Sequence, residues 1–175
     1  MPNFPDKLMT RVTRSETLGN IFEVNAEGEP RYFNHKIRTN DVIKYRIPEH
    51  QRYPQWNKEQ KNLLIDTIFR NFPMSGVVVS QHVDVSGKLY FDIEDGQSRL
   101  SNLQGFYMNE YPYKLEDGNV IYFKDIPRGK QRAFENYQIY IEEISDVSDY
   151  DISEAFERLQ FGMPLKDKDL YWNRK

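Results

Sequence analysis

Two different hydrophobic periodicities meet in residues 91–100, Phe91-Asp92-Ile93-Glu94-Asp95-Gly96-Gln97-Ser98-Arg99-Leu100. Apolar residues alternate with polar ones over residues 89–94, which predicts a half-buried strand. After Gly96 the apolar residues recur at helical spacing, and Asp95 stands where an N-cap residue is expected. The helical spacing is carried by Leu100, Leu103 and Tyr107. The sequence therefore predicts a strand that passes through an Asp-Gly turn directly into a helix.

Similar patterns place elements before and after this junction. Asn57 and Gln60 form a capping-box pattern at the start of a helix predicted over residues 58–70. Its buried stripe is predicted to contain Leu64, Ile65, Ile68, Phe69 and Phe72. Residues 76–80 are apolar on both parities, which predicts a strand covered on both faces. We further predict a strand at 41–47, a hairpin at 113–123, a helix at 128–137, a strand at 139–144, a helix with a capping box at Asp151 and Glu154, and another helix starting at 166.

The first 36 residues are predicted to be an N-terminal extension. Residues 1–20 carry no clear periodicity, whereas residues 21–24 and 31–33 flank a Gly-containing turn and predict a small hairpin. Residues 37–175 are then predicted to form one domain, which suits a chain of 175 residues.

Composition excludes several classes of protein. No apolar run approaches the roughly 18 residues that suggest a membrane span, and the N-terminus lacks the layout of a signal peptide. We therefore expect a cytoplasmic protein without a membrane partner. The absence of cysteine excludes disulfides, thiolate metal sites and a cysteine nucleophile. The sequence also lacks the phosphate-loop and Gly-x-Gly-x-x-Gly motifs, so a nucleotide would have to be bound in another way.

Charge is distributed unevenly along the chain. Residues 31–61 contain eight Lys and Arg against three acids, whereas residues 135–157 contain eight acids and no Lys or Arg. An anionic ligand would be steered toward the first segment if the fold keeps the two segments apart. The alternative is that they form two differently solvated faces.

The junction at Asp95 offers a place for an anion. A helix N-terminus presents unpaired N–H groups and partial positive charge, and Arg99, one turn into the helix, can add a bidentate fork to a phosphate. Asp95 could cap the helix or hold a cation that bridges phosphate oxygens. The alternative is that Asp95 is only an N-cap and Arg99 a surface residue. Ser98 is interpreted as an ordinary first-turn residue, because Leu100 is too large for the sharp turn of a nucleophile elbow.

Two further motifs make the pattern specific. Residues 46–56 read Arg-Ile-Pro-Glu-His-Gln-Arg-Tyr-Pro-Gln-Trp and precede the Asp-Gly-Gln-Ser-Arg-Leu motif, and residues 156–165 read Phe-Glu-Arg-Leu-Gln-Phe-Gly-Met-Pro-Leu. In this order the three segments resemble the N-terminal domain of the GmrSD type of modification-dependent restriction system. That family's pattern is Ile-Pro-x-x-Gln-Arg-x-x-x-Trp, Asp-Gly-Gln-Gln-Arg-Leu and Phe-x-Arg-Leu-Asn. This sequence departs from the pattern at Ser98, which replaces the second Gln, and at Gln160, which replaces the Asn.

The resemblance implies a ParB/sulfiredoxin-like α+β fold, with a small mixed sheet flanked by helices. It also implies Mg²⁺-dependent binding and hydrolysis of a nucleoside triphosphate (NTP). This hydrolysis would control the attack on DNA in a restriction, phage-defence or anti-defence system. The implied catalytic residues are Asp95, Gln97 and Arg99, and the implied phosphate-binding residues are Gln51, Arg52, Arg99 and Arg158. In these roles Arg52 and Arg99 would neutralise phosphate, and Asp95 would hold Mg²⁺ or position the attacking water. Gln51 and Gln97 would orient oxygens or water.

Several alternatives remain open at this stage. Arg158 could join the site or pair with the acids near it, and Tyr53 and Trp56 could stack on a base or serve as packing groups. The family's nuclease usually lies in a separate downstream domain with a His-Asn-His site, which is an expected partner. The competing functions are a non-catalytic module that binds nucleic acid or protein, and a weak ParB-like DNA nuclease.

Overall fold

Within the residues that the structure describes, 6–37, 43–49, 51 and 54–161, the computed structural model contains seven strands and five α-helices. The strands are β1 (Thr10–Thr17), β2 (Tyr45–Arg46), β3 (Val77–Val83), β4 (Leu89–Asp95), β5 (Tyr113–Lys114), β6 (Val120–Ile121) and β7 (Gln138–Ser145). The helices are α1 (Leu18–Ile21), α2 (Lys58–Phe69), α3 (Gln97–Tyr107), α4 (Arg128–Glu135) and α5 (Asp149–Phe161), with a 3₁₀ turn at Phe123–Asp125. None of these helices combines the length and apolarity that crossing a membrane requires.

Five of these strands form one mixed sheet in the order β1-β7-β3-β4-β2, and β5 pairs with β6 in a separate hairpin. The pairs β1/β7 and β3/β4 are antiparallel, whereas β7/β3 and β4/β2 are parallel. The predicted α+β class, a small mixed sheet flanked by helices, is therefore confirmed. Its finer assignment to the ParB/sulfiredoxin type stays a prediction.

The main core lies between the sheet and helices α1 to α4, and it is largely aromatic. Phe106 and Phe134 are fully buried, with ring centroids 5.7 Å apart. The aromatic cluster around them consists of Phe22, Phe69, Tyr107, Tyr111, Tyr113 and Phe123. On the opposite face of the sheet, Ile152 of α5 packs with Val78 and Ile144. The β3 strand is thus covered on both faces at its start, as its apolar sequence predicted.

The sheet is strongly curled, because its two edge strands approach each other. The Arg14 guanidinium on β1 donates to the Tyr45 hydroxyl on β2 and to the Glu143 carboxylate on β7. Tyr45 is 4% exposed, so this contact lies inside the curl of the sheet. The curl gives the sheet a concave face that holds the core and a convex face that α5 crosses.

Helix α2 begins as the sequence predicts and ends before Pro73 is reached. Asn57 and Gln60 form the reciprocal capping box at its start. At its end Asn71 has φ 56°, and the Phe72 N–H donates to the Thr67 carbonyl, which is a Schellman motif. The prediction that Phe72 belongs to the buried stripe is wrong. The left-handed Asn71 turns the chain away from the helix, and the Phe72 side chain is 55% exposed.

The N-terminal segment contributes more to the sheet than its sequence indicates. β1 pairs with β7 over eight residues, from Thr10 opposite Ser145 to Thr17 opposite Gln138. The turn of the hairpin predicted over 21–33 is present, and an isolated antiparallel bridge joins Val24 and Pro30 across it. Its first strand is shorter than predicted because α1 extends to Ile21. The division of the chain at residue 36 stays a prediction.

The start of α5 also differs from the sequence prediction. The helix starts at Asp149, and the Ser148 hydroxyl accepts from the Asp151 N–H at 3.2 Å. The predicted capping box of Asp151 and Glu154 is wrong, because Ser148 caps the helix one turn earlier and the Glu154 carboxylate pairs with Arg158. The start of the strand predicted at 41–47 and the helix predicted from 166 lie outside the described residues.

Candidate functional site

A cleft of about 750 Å³ opens where β4 ends and α3 begins. Its walls come from this junction, from the segment before β3, from β7 and β1, and from the loop that precedes α2. Four residues predicted from the sequence line it: Gln51, Asp95, Gln97 and Arg99. The cleft therefore joins the first two sequence motifs, which are almost forty residues apart in the chain.

Gly96 forms the junction between strand and helix. Its φ of 93° lies in the left-handed region, so the chain passes from β4 into α3 without an intervening loop. The N-cap of α3 is Gly96, and among the described residues no side chain caps this helix. The prediction that Asp95 is the N-cap is wrong, because the turn at Gly96 moves the start of the helix by one residue. The N–H groups of Gln97, Ser98 and Arg99 precede the first helical hydrogen bond, which Leu100 donates to the Gly96 carbonyl.

Arg99 connects α3 to the segment before β3. Its Nη2 donates to the Gly76 carbonyl at 2.9 Å and to Asp95 Oδ2 at 2.9 Å, and its Nη1 donates to the Ser75 carbonyl at 3.0 Å. The Arg99 side chain is 17% exposed, which also argues against the alternative that it is a surface residue. Arg99 thus has a structural role at the cleft, and only part of its guanidinium faces solvent.

The two glutamines of the motifs lie on different parts of the cleft. The Gln51 side-chain amide donates to the carbonyls of Ile93 and Glu94, at 3.2 and 3.1 Å, and so attaches its loop to the end of β4. Gln97 is 4% exposed, and its amide donates to the Ser101 hydroxyl at 3.4 Å. Hydrogen bonds to β4 and to α3 therefore position the Gln51 and Gln97 side chains, respectively.

The remaining predicted residues do not line the cleft in the described structure. Arg52 follows Gln51 directly but lies outside the described residues. Arg158 lines an adjacent depression, which shares Val78 and Glu142 with the cleft, and its guanidinium pairs with Glu154. The expected pairing of Arg158 with a neighbouring acid is therefore observed. The catalytic, phosphate-binding and metal-binding roles of all these residues stay predictions.

Sequence reasoning missed a buried polar pair beside the cleft. Glu94, which lines the cleft, is 7% exposed and accepts a hydrogen bond from the fully buried Ser80 hydroxyl at 2.5 Å. The Ser80 hydroxyl also lies 2.8 Å from His82 Nε2. Alternation along β4 had placed Glu94 on a solvated face. The apolar pattern of β3 on both parities was the signal that this face is covered as well.

The sequence also missed the part of the cleft that comes from the far side of the sheet. These residues are Thr13 on β1 and both Tyr140 and Glu142 on β7. Trp56, which the sequence had indicated, lines the cleft from the loop before α2. Trp56 also packs against the main core, so the expected packing role is observed for it.

A model of the GmrSD restriction endonuclease N-terminal domain family matches residues 32–174, which include all three sequence motifs. The chain belongs to this family. Two similar curated proteins are the exodeoxyribonuclease 7 large subunits of Clostridium botulinum strain Okra and strain Langeland, with 28% identity over 122 residues and 26% over 121. Each match covers 67% of this chain and 29% of the relative, so the chain spans less than a third of those proteins. No solved structure matches.

The charges in the cleft are mostly negative. Among the described residues, its charged lining consists of Glu94, Asp95, Glu142 and Arg99, and Arg99 is already paired with Asp95. The acidic segment 135–157 contributes Glu142 and the basic segment 31–61 contributes Gln51 and Trp56, so the fold brings the two segments together.

The basic segment 31–61 is largely engaged with acids and aromatic rings. The Lys36 ammonium lies 2.6 Å from Glu110 Oε1, and Arg46 Nε lies 3.2 Å from Asp92 Oδ1. The Arg46 guanidinium also lies 3.9 Å from the centre of the Tyr90 ring. The expected steering of an anion by this segment therefore gains no support from its described side chains.

The described residues contain no group of three or more His, Asp or Glu side chains arranged to hold a metal ion. The Asp95 side chain is 36% exposed and lines the cleft, and its role as a magnesium ligand stays a prediction.

Proposed function

We propose that the cleft binds an NTP together with Mg²⁺ and hydrolyses it, as the regulatory step of a DNA restriction system. The observation that carries this proposal is the uncapped start of α3, which opens into a cleft lined by Gln51, Asp95, Gln97 and Arg99. A helix N-terminus with free N–H groups attracts phosphate through hydrogen bonds and through its dipole. The family membership supports a role in a restriction system.

The phosphates would lie against the first turn of α3. The backbone N–H groups of Gln97, Ser98 and Arg99 would donate to phosphate oxygens. The partly exposed Arg99 guanidinium, on the same turn, would add positive charge. Arg52, next to Gln51 in the chain, is proposed as a second cation at this end. Gln51 and Gln97 would orient phosphate oxygens or the attacking water.

The acidic lining makes a divalent cation necessary for this ligand. Three carboxylates face a cleft whose described cation, Arg99, is already paired. A triphosphate carries several negative charges and would be repelled unless a cation neutralised them. A bound Mg²⁺ would supply charge neutralisation and polarise the transferred phosphoryl group. Asp95 would hold it, so nucleotide binding is expected to depend on Mg²⁺.

One observation favours a second candidate, a module that binds the nucleotide without hydrolysing it. Arg99 donates three hydrogen bonds to the protein itself, and Ser98 stands where the family pattern has Gln. A guanidinium that already donates three hydrogen bonds to the protein has fewer N–H groups left to stabilise the charge that develops in the transition state. In this version NTP occupancy alone would be the signal.

DNA is proposed as the eventual target of the system. The family is named for restriction endonucleases, and the curated relatives are named exodeoxyribonuclease subunits. Direct binding of DNA by this domain, and weak nicking, can be tested by salt-dependent gel shifts with duplex and single-stranded DNA. A shift that weakens steeply with salt would support contact with phosphates, and no shift at low salt would remove DNA as a direct partner.

The hydrolysis itself is tested by phosphate release with each of the four NTPs, with and without Mg²⁺. We expect Mg²⁺-dependent release by the wild type and at least a tenfold loss in Asp95→Asn, an estimate of about 1.4 kcal/mol in barrier height. The matched control is Asp125→Asn, which changes an exposed carboxylate outside the cleft. Binding detected by thermal shift without phosphate release would select the second candidate. Neither binding nor release would overturn both.

A further inference from the structure

One wall of the cleft is a single row of sheet residues. The row starts at Asp95, next to the first turn of α3 where the phosphates are proposed to lie. In the register of the sheet, Asp95 on β4 lies beside Val78 on β3, Val78 beside Glu142 on β7, and Glu142 beside Thr13 on β1. Neighbouring strands are separated by roughly 4.8 Å, so Glu142 lies about 10 Å from Asp95 across the sheet. All four residues line the cleft. A ligand that starts at Asp95 and extends along the row therefore reaches Glu142.

Tyr140 stands beside this row with an accessible ring. It lies two residues before Glu142 on β7, so the two side chains share one face of the sheet. Its neighbour toward β3 is Gly76, which has no side chain and approaches so closely that an added Cβ would lie 2.8 Å from the Tyr140 carbonyl oxygen. Its partner on β1 is the small Ser15. The Tyr140 side chain is consequently 60% exposed on the wall of the cleft, where a flat ligand can stack on it.

Glu142 provides the polar group next to this ring. Its side chain is 27% exposed and forms an ion pair through Oε1 with Arg11, which is 64% exposed at the edge of the sheet. Arg11 therefore engages one oxygen of the carboxylate, Oε1. A carboxylate accepts hydrogen bonds and donates none, and each of its oxygens has two acceptor sites. The partner that fits Glu142 is therefore an edge that presents two adjacent N–H donors.

We propose that Tyr140 and Glu142 form a nucleobase subsite that selects guanine. This inference rests on the proposed function, because it takes the phosphates to lie at α3. Guanine presents its ring N–H and its exocyclic amino group side by side, and both can donate to one carboxylate. Adenine and cytosine place an acceptor nitrogen beside their amino group, and uracil places carbonyl oxygens on both sides of its N–H. Each of these bases would direct lone pairs at the Glu142 carboxylate.

The test is the affinity of the protein for GTP, ATP, CTP and UTP, measured by calorimetry with Mg²⁺ on the wild type and on single variants. We expect the wild type to bind GTP about tenfold or more tightly than the other three, which is the discrimination that a paired donor edge supplies. Glu142→Gln should remove this preference, because an amide offers one acceptor and one donor group. Tyr140→Ala should weaken all four nucleotides by about tenfold through the loss of stacking.

Two control variants separate recognition from stability. Arg11→Gln breaks the same ion pair as Glu142→Gln but keeps the carboxylate, so it should retain the preference for GTP. Tyr150→Ala removes an equally exposed tyrosine outside the cleft and should leave all affinities unchanged. If the wild type binds all four NTPs equally, or if Glu142→Gln keeps the GTP preference, the guanine subsite is wrong while the proposed function stands. If no NTP binds, the proposed function fails first and the subsite fails with it.

Discussion

At the scale of single residues, Gly96 determines whether the cleft can exist. It carries φ 93°, and an added Cβ would lie 2.9 Å from Val77 Cγ2 and 3.1 Å from Arg99 Nη2. A side chain here would meet both a left-handed backbone and close neighbours on β3. The junction between β4 and α3 therefore depends on glycine for two independent reasons.

We predict that Gly96→Ala lowers the free energy of unfolding by about 2 kcal/mol or more, of which roughly 1–2 kcal/mol comes from the left-handed backbone. Gly118→Ala is the matched control, because Gly118 has φ 86° but no atom within 4 Å of an added Cβ. Urea unfolding of both variants should show a larger loss at residue 96 than at residue 118. Equal losses would mean that the contacts with Val77 and Arg99 contribute nothing.

Ser98 is the residue at which this chain departs from the family pattern inside the cleft. We predict that Ser98→Gln raises the rate of phosphate release about tenfold or more, since one well-placed hydrogen-bond donor is worth roughly 10² to 10³ in rate. The control is Ser153→Gln on α5, outside the cleft. A Ser98→Gln variant that folds normally and shows no gain would indicate that the shorter side chain does not limit hydrolysis.

At the scale of elements, α3 holds the segment that leads toward β2. The Gln104 side chain, 1% exposed, donates to the Phe33 carbonyl at 2.5 Å and accepts from the His35 N–H at 2.8 Å. Beyond the end of the helix, Glu110 lies 3.0 Å from His35 Nε2 and 2.6 Å from the Lys36 ammonium. One helix therefore builds the cleft at its start and anchors the preceding segment near its end.

This anchor should depend on pH. Burial raises the pKa of Glu110, but the hydrogen bond from Lys36 and the charge of His35 outweigh it, so the pKa lies below the ordinary 4.5. A carboxylate with a depressed pKa stabilises the fold above pH 4.5, and that stabilisation is lost as the pH falls through the folded-state pKa.

We predict that Glu110→Gln costs about 0.5 kcal/mol at pH 7, because the pair is partly exposed and screened. The difference between wild type and variant should shrink as the pH falls below 4.5. Chemical unfolding between pH 3 and pH 7, roughly the range in which linked carboxylates titrate, measures it. Glu27→Gln, in an exposed turn, is the control. A constant difference across this range would contradict the role assigned to the charge of Glu110.

Several sequence predictions succeeded or failed according to the range of the interactions, although the N-cap at Asp95 and the capping box at Asp151 were local predictions and were wrong. The capping box of Asn57 and the course of β4 into α3 depend on neighbours within four residues, and both were predictable. β1 was missed because its exposed positions carry no alternation and its partner β7 lies more than 120 residues away. Tyr140 and Glu142 were missed as cleft residues for the same reason, since only the strand order brings β7 beside the motif.

At the scale of the whole molecule, the curled sheet joins the two ends of the strand order. Arg14 on β1 donates to the Tyr45 hydroxyl on β2, although β7, β3 and β4 lie between them in the sheet. Thr13 on β1 and Glu142 on β7 line the cleft. The edge strand that this contact connects to β2 therefore also contributes a residue to the cleft.

We predict that Tyr45→Phe lowers the free energy of unfolding by about 1 kcal/mol, the usual net value of a hydrogen bond, or somewhat more because the donor is charged. Hydrogen exchange should accelerate on β1, which depends on this contact, more than in the centre of the sheet. Tyr122→Phe, which removes a hydroxyl from a residue that is 38% exposed, serves as the control. Unchanged exchange on β1 would show that the strand is held by β7 alone.

If the cleft at the start of α3 binds an NTP with Mg²⁺, as we propose, a calorimetric titration will detect the binding. The titration uses the full chain with each NTP in Mg²⁺ and in EDTA, and it is repeated with Asp95→Asn. We predict saturable binding that requires Mg²⁺ and weakens about tenfold or more in the variant, a change of about 1.4 kcal/mol. Absence of binding by a folded wild-type protein, or binding that is unchanged in EDTA and in Asp95→Asn, would contradict the claim.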